Sequence, residues 1–139
     1  MKTISNLAVG LLTAIMVAAC GQQNNPHPEW SEARTAMEAE GQVILSKARA
    51  ALARQDFDTA RSEVGQLRHR CKLAYDARNA GILLLDSIEI ADAQSRLGDV
   101  SRQLDTATPP TDSLQALQEE LVMRVNFFKR KLTHDKAKQ

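Results

Sequence analysis

The sequence predicts an all-α protein: a small elongated helical bundle with antiparallel, coiled-coil-like hairpins. Three observations carry that expectation. Beyond residue 29, apolar residues recur in steps of three and four, the spacing that gathers them on one helix face. Alanine and leucine, both strong helix formers, dominate these segments. No stretch alternates apolar and polar residues at period two, as a half-buried strand would. Aromatic residues are few, with Trp30, Phe57, Tyr75, Phe127 and Phe128 in the domain. Alanine-rich seams let helix axes approach closely, which suits a narrow bundle.

The first helix is expected to start near Pro28 or Ser31, since proline suits a first turn. Its apolar face runs Ala33, Met37, Ile44, Ala48 and Leu52. It should end before the segment RQDFD, where Asp56 is placed to cap the next helix. The second helix carries Phe57, Ala60, Val64, Leu67, Cys71 and Ala74, an unbroken seam of threes and fours. The later half of the third helix repeats that spacing with Ile90, Ala93, Leu97, Val100, Leu104 and Ala107. These two seams are out of phase, so the chain either breaks near residues 71–73 or continues as one long helix that shifts its buried face there; a short break is the favoured expectation. The segment TATPPTDS is the clearest loop. Pro109 disfavours helix in the residue before it, and Thr111 or Asp112 suits the cap of a fourth helix. That helix presents Leu114, Leu117, Leu121, Val125, Phe128 and Leu132.

Charge supports pairing of the last two helices. Residues 86–120 hold Asp86, Glu89, Asp92, Asp99, Asp105, Asp112, Glu119 and Glu120 against Arg96 and Arg102. Residues 124–138 hold Arg124, Lys129, Arg130, Lys131, Lys136 and Lys138 against Asp135. An antiparallel hairpin folded about Pro109 and Pro110 brings Lys129 and Lys131 opposite the region of Asp92 and Glu89. Exposed pairs contribute only about 0–1 kcal/mol each, but they select the register.

The amino terminus has a different character. Lys2 precedes a run from residue 7 to 19 with no charge, followed by the small pair Ala18-Ala19 and then Cys20. This is the layout of a secretory signal. As a helix the run would span about 20 Å, short of the ~30 Å hydrocarbon core of a bilayer. The segment Val17-Ala18-Ala19-Cys20 resembles the lipobox of bacterial lipoproteins. The resemblance implies cleavage between Ala19 and Cys20, a diacylglycerol on the Cys20 thiol and an acyl chain on the new terminus. Two or three chains anchor stably where one binds only marginally. Gly21 is not the aspartate that retains such proteins at the inner membrane. The resemblance therefore implies the cell envelope, at the outer membrane with the domain facing the periplasm. The expected organisation is a signal peptide over 1–19, a lipidated cysteine and tether over 20–28, a bundle over 29–134 and a frayed tail over 135–139. The tether's eight residues reach only about 16 Å, holding the domain close to the bilayer.

The whole chain has 18 Lys+Arg and 17 Asp+Glu. Residues 1–19 contain Lys2 and no acid, so residues 20–139 have 17 of each and are formally neutral. A neutral balance gives no general reason to bind nucleic acid. With Cys20 lipidated, Cys71 has no partner in the chain, and it reads as a small buried hydrophobe at a helix seam. The segment ALARQDFDTARSEVGQL resembles one tetratricopeptide-type hairpin over residues 44–72, through Ala48, Phe57 and Ala60. No second copy follows, whereas such repeats need about three units for a continuous core.

Function is expected to be contact, not catalysis. His27, His69 and His134 stand far apart without metal-ligand spacing, so no metal or cofactor beyond the lipid is expected. No nucleophile elbow or phosphate loop is present. Asp86, Glu89 and Asp92 recur at helical spacing, but ion pairing within the hairpin accounts for them. The expected protein-contact surface is the concave side of the first hairpin with the start of the third helix. Arg68, Arg70, Lys72 and Arg78 form its basic patch, to be met by an envelope protein. The alternative is contact with anionic lipid or envelope through Lys129, Arg130, Lys131 and Lys136. Trp30 is expected to pack on the first turns of the bundle.

Overall fold

The computed structural model describes residues 27–107 and 111–138. Their regular structure is helical, in α1 (Glu32–Ala53), α2 (Phe57–Arg70), α3 (Tyr75–Thr106) and α4 (Asp112–Lys136). No strand occurs among the described residues. Ala19, Cys20 and the loop prolines Pro109 and Pro110 lie outside them.

The helix ends follow local chemistry. Ser31 caps α1, its hydroxyl accepting the Arg34 N–H at 3.2 Å. At the far end the Gln55 N–H bonds the Leu52 carbonyl, and the Asp56 N–H bonds that of Ala51. This is the Schellman pattern, and it holds Gln55 at φ 59°, a conformation that favours glycine. Asp56 then caps α2, its carboxylate accepting the Thr59 N–H at 3.2 Å. The break between α2 and α3 covers residues 71–74, so Cys71 and Ala74, expected on the second helix, lie beyond its end, buried in the turn. Thr111 is the N-cap residue of α4, but its side chain makes no capping hydrogen bond.

α3 has no capping side chain of its own. Instead Glu38, buried on α1, reaches across to accept the Asp76 N–H at 2.8 Å and the Ala77 N–H at 3.0 Å. A carboxylate at a helix N-terminus satisfies orphan donors and meets the positive end of the dipole. The expected face of α1 is corrected here. Ala33 is exposed, while Glu38, Gly41, Leu45 and Ala51 complete the buried stripe with Ile44 and Ala48.

α3, about 48 Å long at 1.5 Å per residue, serves two packing layers. Its first half joins α1 and α2 around Leu45, Ala48, Ala60, Leu67, Cys71, Ala77 and Ile88. Its second half pairs with α4 around Ala93, Val100, Leu121 and Val125. Among the described helices, α4 packs on α3 alone. The structure is thus two hairpins, α1–α2 and α3–α4, sharing the start of α3. At Gly41 a Cβ would lie 2.6 Å from the Ala77 Cβ. That neighbour sits directly on the backbone and cannot swing away, so α1 and α3 approach because residue 41 lacks a side chain.

Gly41→Ala should therefore destabilise the fold by about 1–3 kcal/mol through overpacking. Gln55→Gly should stabilise it by up to about 1 kcal/mol by relieving the left-handed strain. Urea unfolding midpoints measured side by side check both signs.

Glu38→Ala should cost about 1–3 kcal/mol, because it strands the buried Ala77 N–H and the part-buried Asp76 N–H at the start of α3. Hydrogen exchange should show the amides of Asp76 and Ala77 losing protection first.

Candidate functional site

The acidic ladder on α3 is consumed by ion pairs from two sides. Glu89, buried, accepts from the Arg61 Nε of α2 at 2.6 Å and from the Arg124 Nη2 of α4 at 2.5 Å. Arg61 also bonds Asp92 and, at 3.2 Å, Asp58. Asp86, only 2 % exposed, takes the Lys131 ammonium at 2.8 Å, and Lys131 also reaches Asp135 at 2.6 Å. The expected register is corrected accordingly. Lys131 meets Asp86 instead of Glu89, the cation facing Glu89 across the hairpin is Arg124, and Asp92 turns to α2. Lys129 is exposed and makes no ion pair among the described residues.

Burial by itself would raise the Glu89 carboxyl. The hydrogen bonds and charge of Arg61 and Arg124 outweigh it and hold the group below its ordinary value of 4.5. Arg61 is held above its ordinary value chiefly by its bond to Glu89. Bonds to Asp135 and Asp86 likewise raise Lys131. These groups are locked in their charged forms, as a structural junction requires. Among the described residues, no group of three or more His, Cys, Asp or Glu is placed to hold a metal ion.

The basic patch expected around the start of α3 is divided. Arg70 is paired with Glu40 at 2.5 Å, so its charge is met within the chain. Arg78, half-buried, donates to the Lys72 carbonyl at 3.0 Å. Arg68 and Lys72 are exposed. Arg68 and Arg78 do come together, along one open groove of about 760 Å³ between α2 and α3. Val64, Leu67 and Leu85 give it an apolar lining, Tyr75 and Ile82 are exposed along it, and none of the lining residues is acidic. Its one further cation, Arg61, is neutralised by Glu89 and Asp92. Gly65 keeps the α2 side low, since a Cβ there would meet nothing within 4 Å.

The remaining sequence candidates fall elsewhere. On α4, Lys129, Arg130 and Lys136 are exposed, whereas Lys131 is tied to Asp86. Cys71 is fully buried, and burial pushes its thiol up. Trp30 stacks on His27 at 3.9 Å and lies under the Arg34 guanidinium at 4.0 Å. The sequence pattern did not single out Glu38, Arg61 or Gly65. A carboxylate on the apolar stripe of α1 was the signal for Glu38. Arg61 and Gly65 gave none, because an arginine and a glycine on a polar helix face are unremarkable until their neighbours are known.

Comparison with known protein families, curated proteins and solved structures yields no match to this chain.

Glu89→Ala should lower stability by about 2 kcal/mol. That is less than the ~3–5 kcal/mol of a fully buried pair, because the Arg61 and Arg124 side chains keep 27 % and 33 % exposure. A carboxyl depressed in the folded state adds stability that is complete above about pH 4.5 and is lost as pH falls through its folded value. Unfolding measured from about pH 7 down to pH 3 should therefore fall more steeply for the parent than for Glu89→Gln. Equal slopes would show that Glu89 is not held ionised.

Proposed function

We propose that this chain is a lipid-anchored envelope protein whose helical domain is a protein-interaction module without catalytic activity. The lipobox-like segment ending at Cys20 supports the anchor, with diacylglycerol on its thiol, the outer membrane as the site and the domain on the periplasmic side. No described helix is long and apolar enough to cross a membrane. A hairpin over residues 44–72 with tetratricopeptide-like small positions at Ala48 and Ala60, both fully buried, fits a contact module.

The observation that carries the reading is the α2–α3 groove. It pairs an apolar lining with the cations Arg68 and Arg78 and has no acidic lining residue. Its complement is an apolar segment of an envelope protein flanked by Asp or Glu. Opposite charge steers such an encounter and fixes its register, while the buried apolar contacts hold it.

The rival reading, anionic lipid held by the basic end of α4, is less well supported. Lys131 is bound to Asp86, and Glu119 and Glu120 are exposed on the same helix as Lys129 and Arg130. Acidic side chains beside an anionic bilayer oppose binding.

In-cell crosslinking with intact-mass measurement tests the proposal. The parent should lack residues 1–19, carry added lipid and crosslink to one envelope protein. Arg68→Glu with Arg78→Glu should reduce that adduct about tenfold or more. Gly65→Trp should block the groove without unfolding α2, because the position faces open space. Full retention of the adduct in both variants would refute the groove. An unmodified Cys20 would refute the anchor.

A further inference from the structure

We propose that the outward face of α4 is a self-association surface, pairing antiparallel with α4 of a second copy of this chain. Leu121 and Val125 turn toward α3. At helical spacing, Glu119, Met123, Asn126 and Arg130 fall on the opposite side. Val122, Met123 and Phe127 are 41 %, 65 % and 54 % exposed, three of six large apolar side chains so exposed among the described residues. They lie within six consecutive positions of one helix that has a packing partner on one side only.

The charges around them say what covers them. Glu119 and Glu120 precede the apolar residues, and Lys129 and Arg130 come after. All four are exposed, and none makes an ion pair among the described residues. About the point between Arg124 and Val125, Glu119 and Arg130 take mirrored positions on the outward face, whereas Glu120 and Lys129 fall on opposite flanks. An antiparallel copy related by a two-fold axis at that point sets Glu119 against Arg130 in both directions. The same axis brings Met123 of the two copies together, with Val122 on one flank of the contact and Phe127 on the other. A parallel copy would set like charges against like. Such self-complementarity is what an isologous two-fold interface requires. An anionic membrane would attract only the basic half of the stripe and repel the other.

The stripe is about 17 Å long. It buries well under the ~800 Å² per partner of a standard interface, so a weak dimer is expected, on the order of micromolar.

The test uses the full chain carrying Cys20→Ser, which leaves Cys71, buried, as the native thiol. Under mild oxidation Asn126→Cys, beside the axis, should give disulfide-linked dimers. Gln115→Cys and Thr133→Cys copies should crosslink to each other when mixed, at least about fivefold more than either does to itself. In the Asn126→Cys background, Glu119→Lys should weaken the dimer about fivefold, as should Arg130→Glu. Mixing these two charge variants should restore it, because opposite charges then face each other again. That rescue separates lost pairing from lost folding. No dimer from Asn126→Cys overturns the proposal, and so does preferential self-linking of Gln115→Cys, the mark of a parallel pair. Flotation of the monomer on anionic vesicles through Met123 and Phe127, without disulfide dimers, overturns it in favour of a lipid surface.

Discussion

The arrangement of the two hairpins depends on one carboxylate. Glu89 accepts Arg61 from α2 on one oxygen and Arg124 from α4 on the other. Among the described helices, α4 packs on α3 alone, so this bridge links it to α2. Such a partly buried triad adds little net stability compared with a well-packed apolar core, because desolvation offsets most of the attraction. Its effect is geometric. A bidentate carboxylate held between two guanidinium groups fixes the rotation of α2 and α4 about α3, which alanine-rich seams alone specify weakly. Lys131 on Asp86 repeats the constraint further along, and Glu38 on the start of α3 secures the third side.

The buried charges Glu38, Asp86 and Glu89 are thus committed to contacts between helices. Small residues at Ala48, Ala51, Ala60, Ala74 and Ala77, with Gly41, bring the helices close. Two surfaces stand apart from that core. The α2–α3 groove combines apolar lining with uncompensated arginine and suits an acidic partner. The outer stripe of α4 combines exposed apolar groups with balanced, self-complementary charge and suits a second copy. A dimer held near a bilayer would present two grooves from one assembly. Membrane tethering would also raise the effective concentration that a weak interface needs.

Much of the fold was legible because helical seams are a one-dimensional signal. The run Phe57 to Ala74 is buried or half-buried at each of its seam positions, and the cap at Asp56 formed as its side-chain chemistry suggests. The register of α3 against α4 was legible only approximately. Several lysines and arginines lie within reach of each acid, and choosing Arg124 over Lys129 for Glu89 depends on rotation about the helix axis. The groove was half legible. Arg68 and Arg78 marked its place, but Arg70 was taken by Glu40, a partner thirty positions away. The Gly41–Ala77 approach is a three-dimensional contact with almost no local signature, and the Glu38 cap showed only as a carboxylate on the apolar stripe of α1.

The most direct test of the Glu89 bridge is a double-mutant cycle between Arg61→Ala and Arg124→Ala, read as unfolding free energies. Losing one arginine leaves Glu89 with the other, whereas losing both strands a buried carboxylate. The double variant should therefore be destabilised beyond the sum of the singles, by roughly 0.5–2 kcal/mol, and the excess should vanish in a Glu89→Gln background. Strict additivity in the parent background would contradict the account, since α2 and α4 would then be oriented independently of each other.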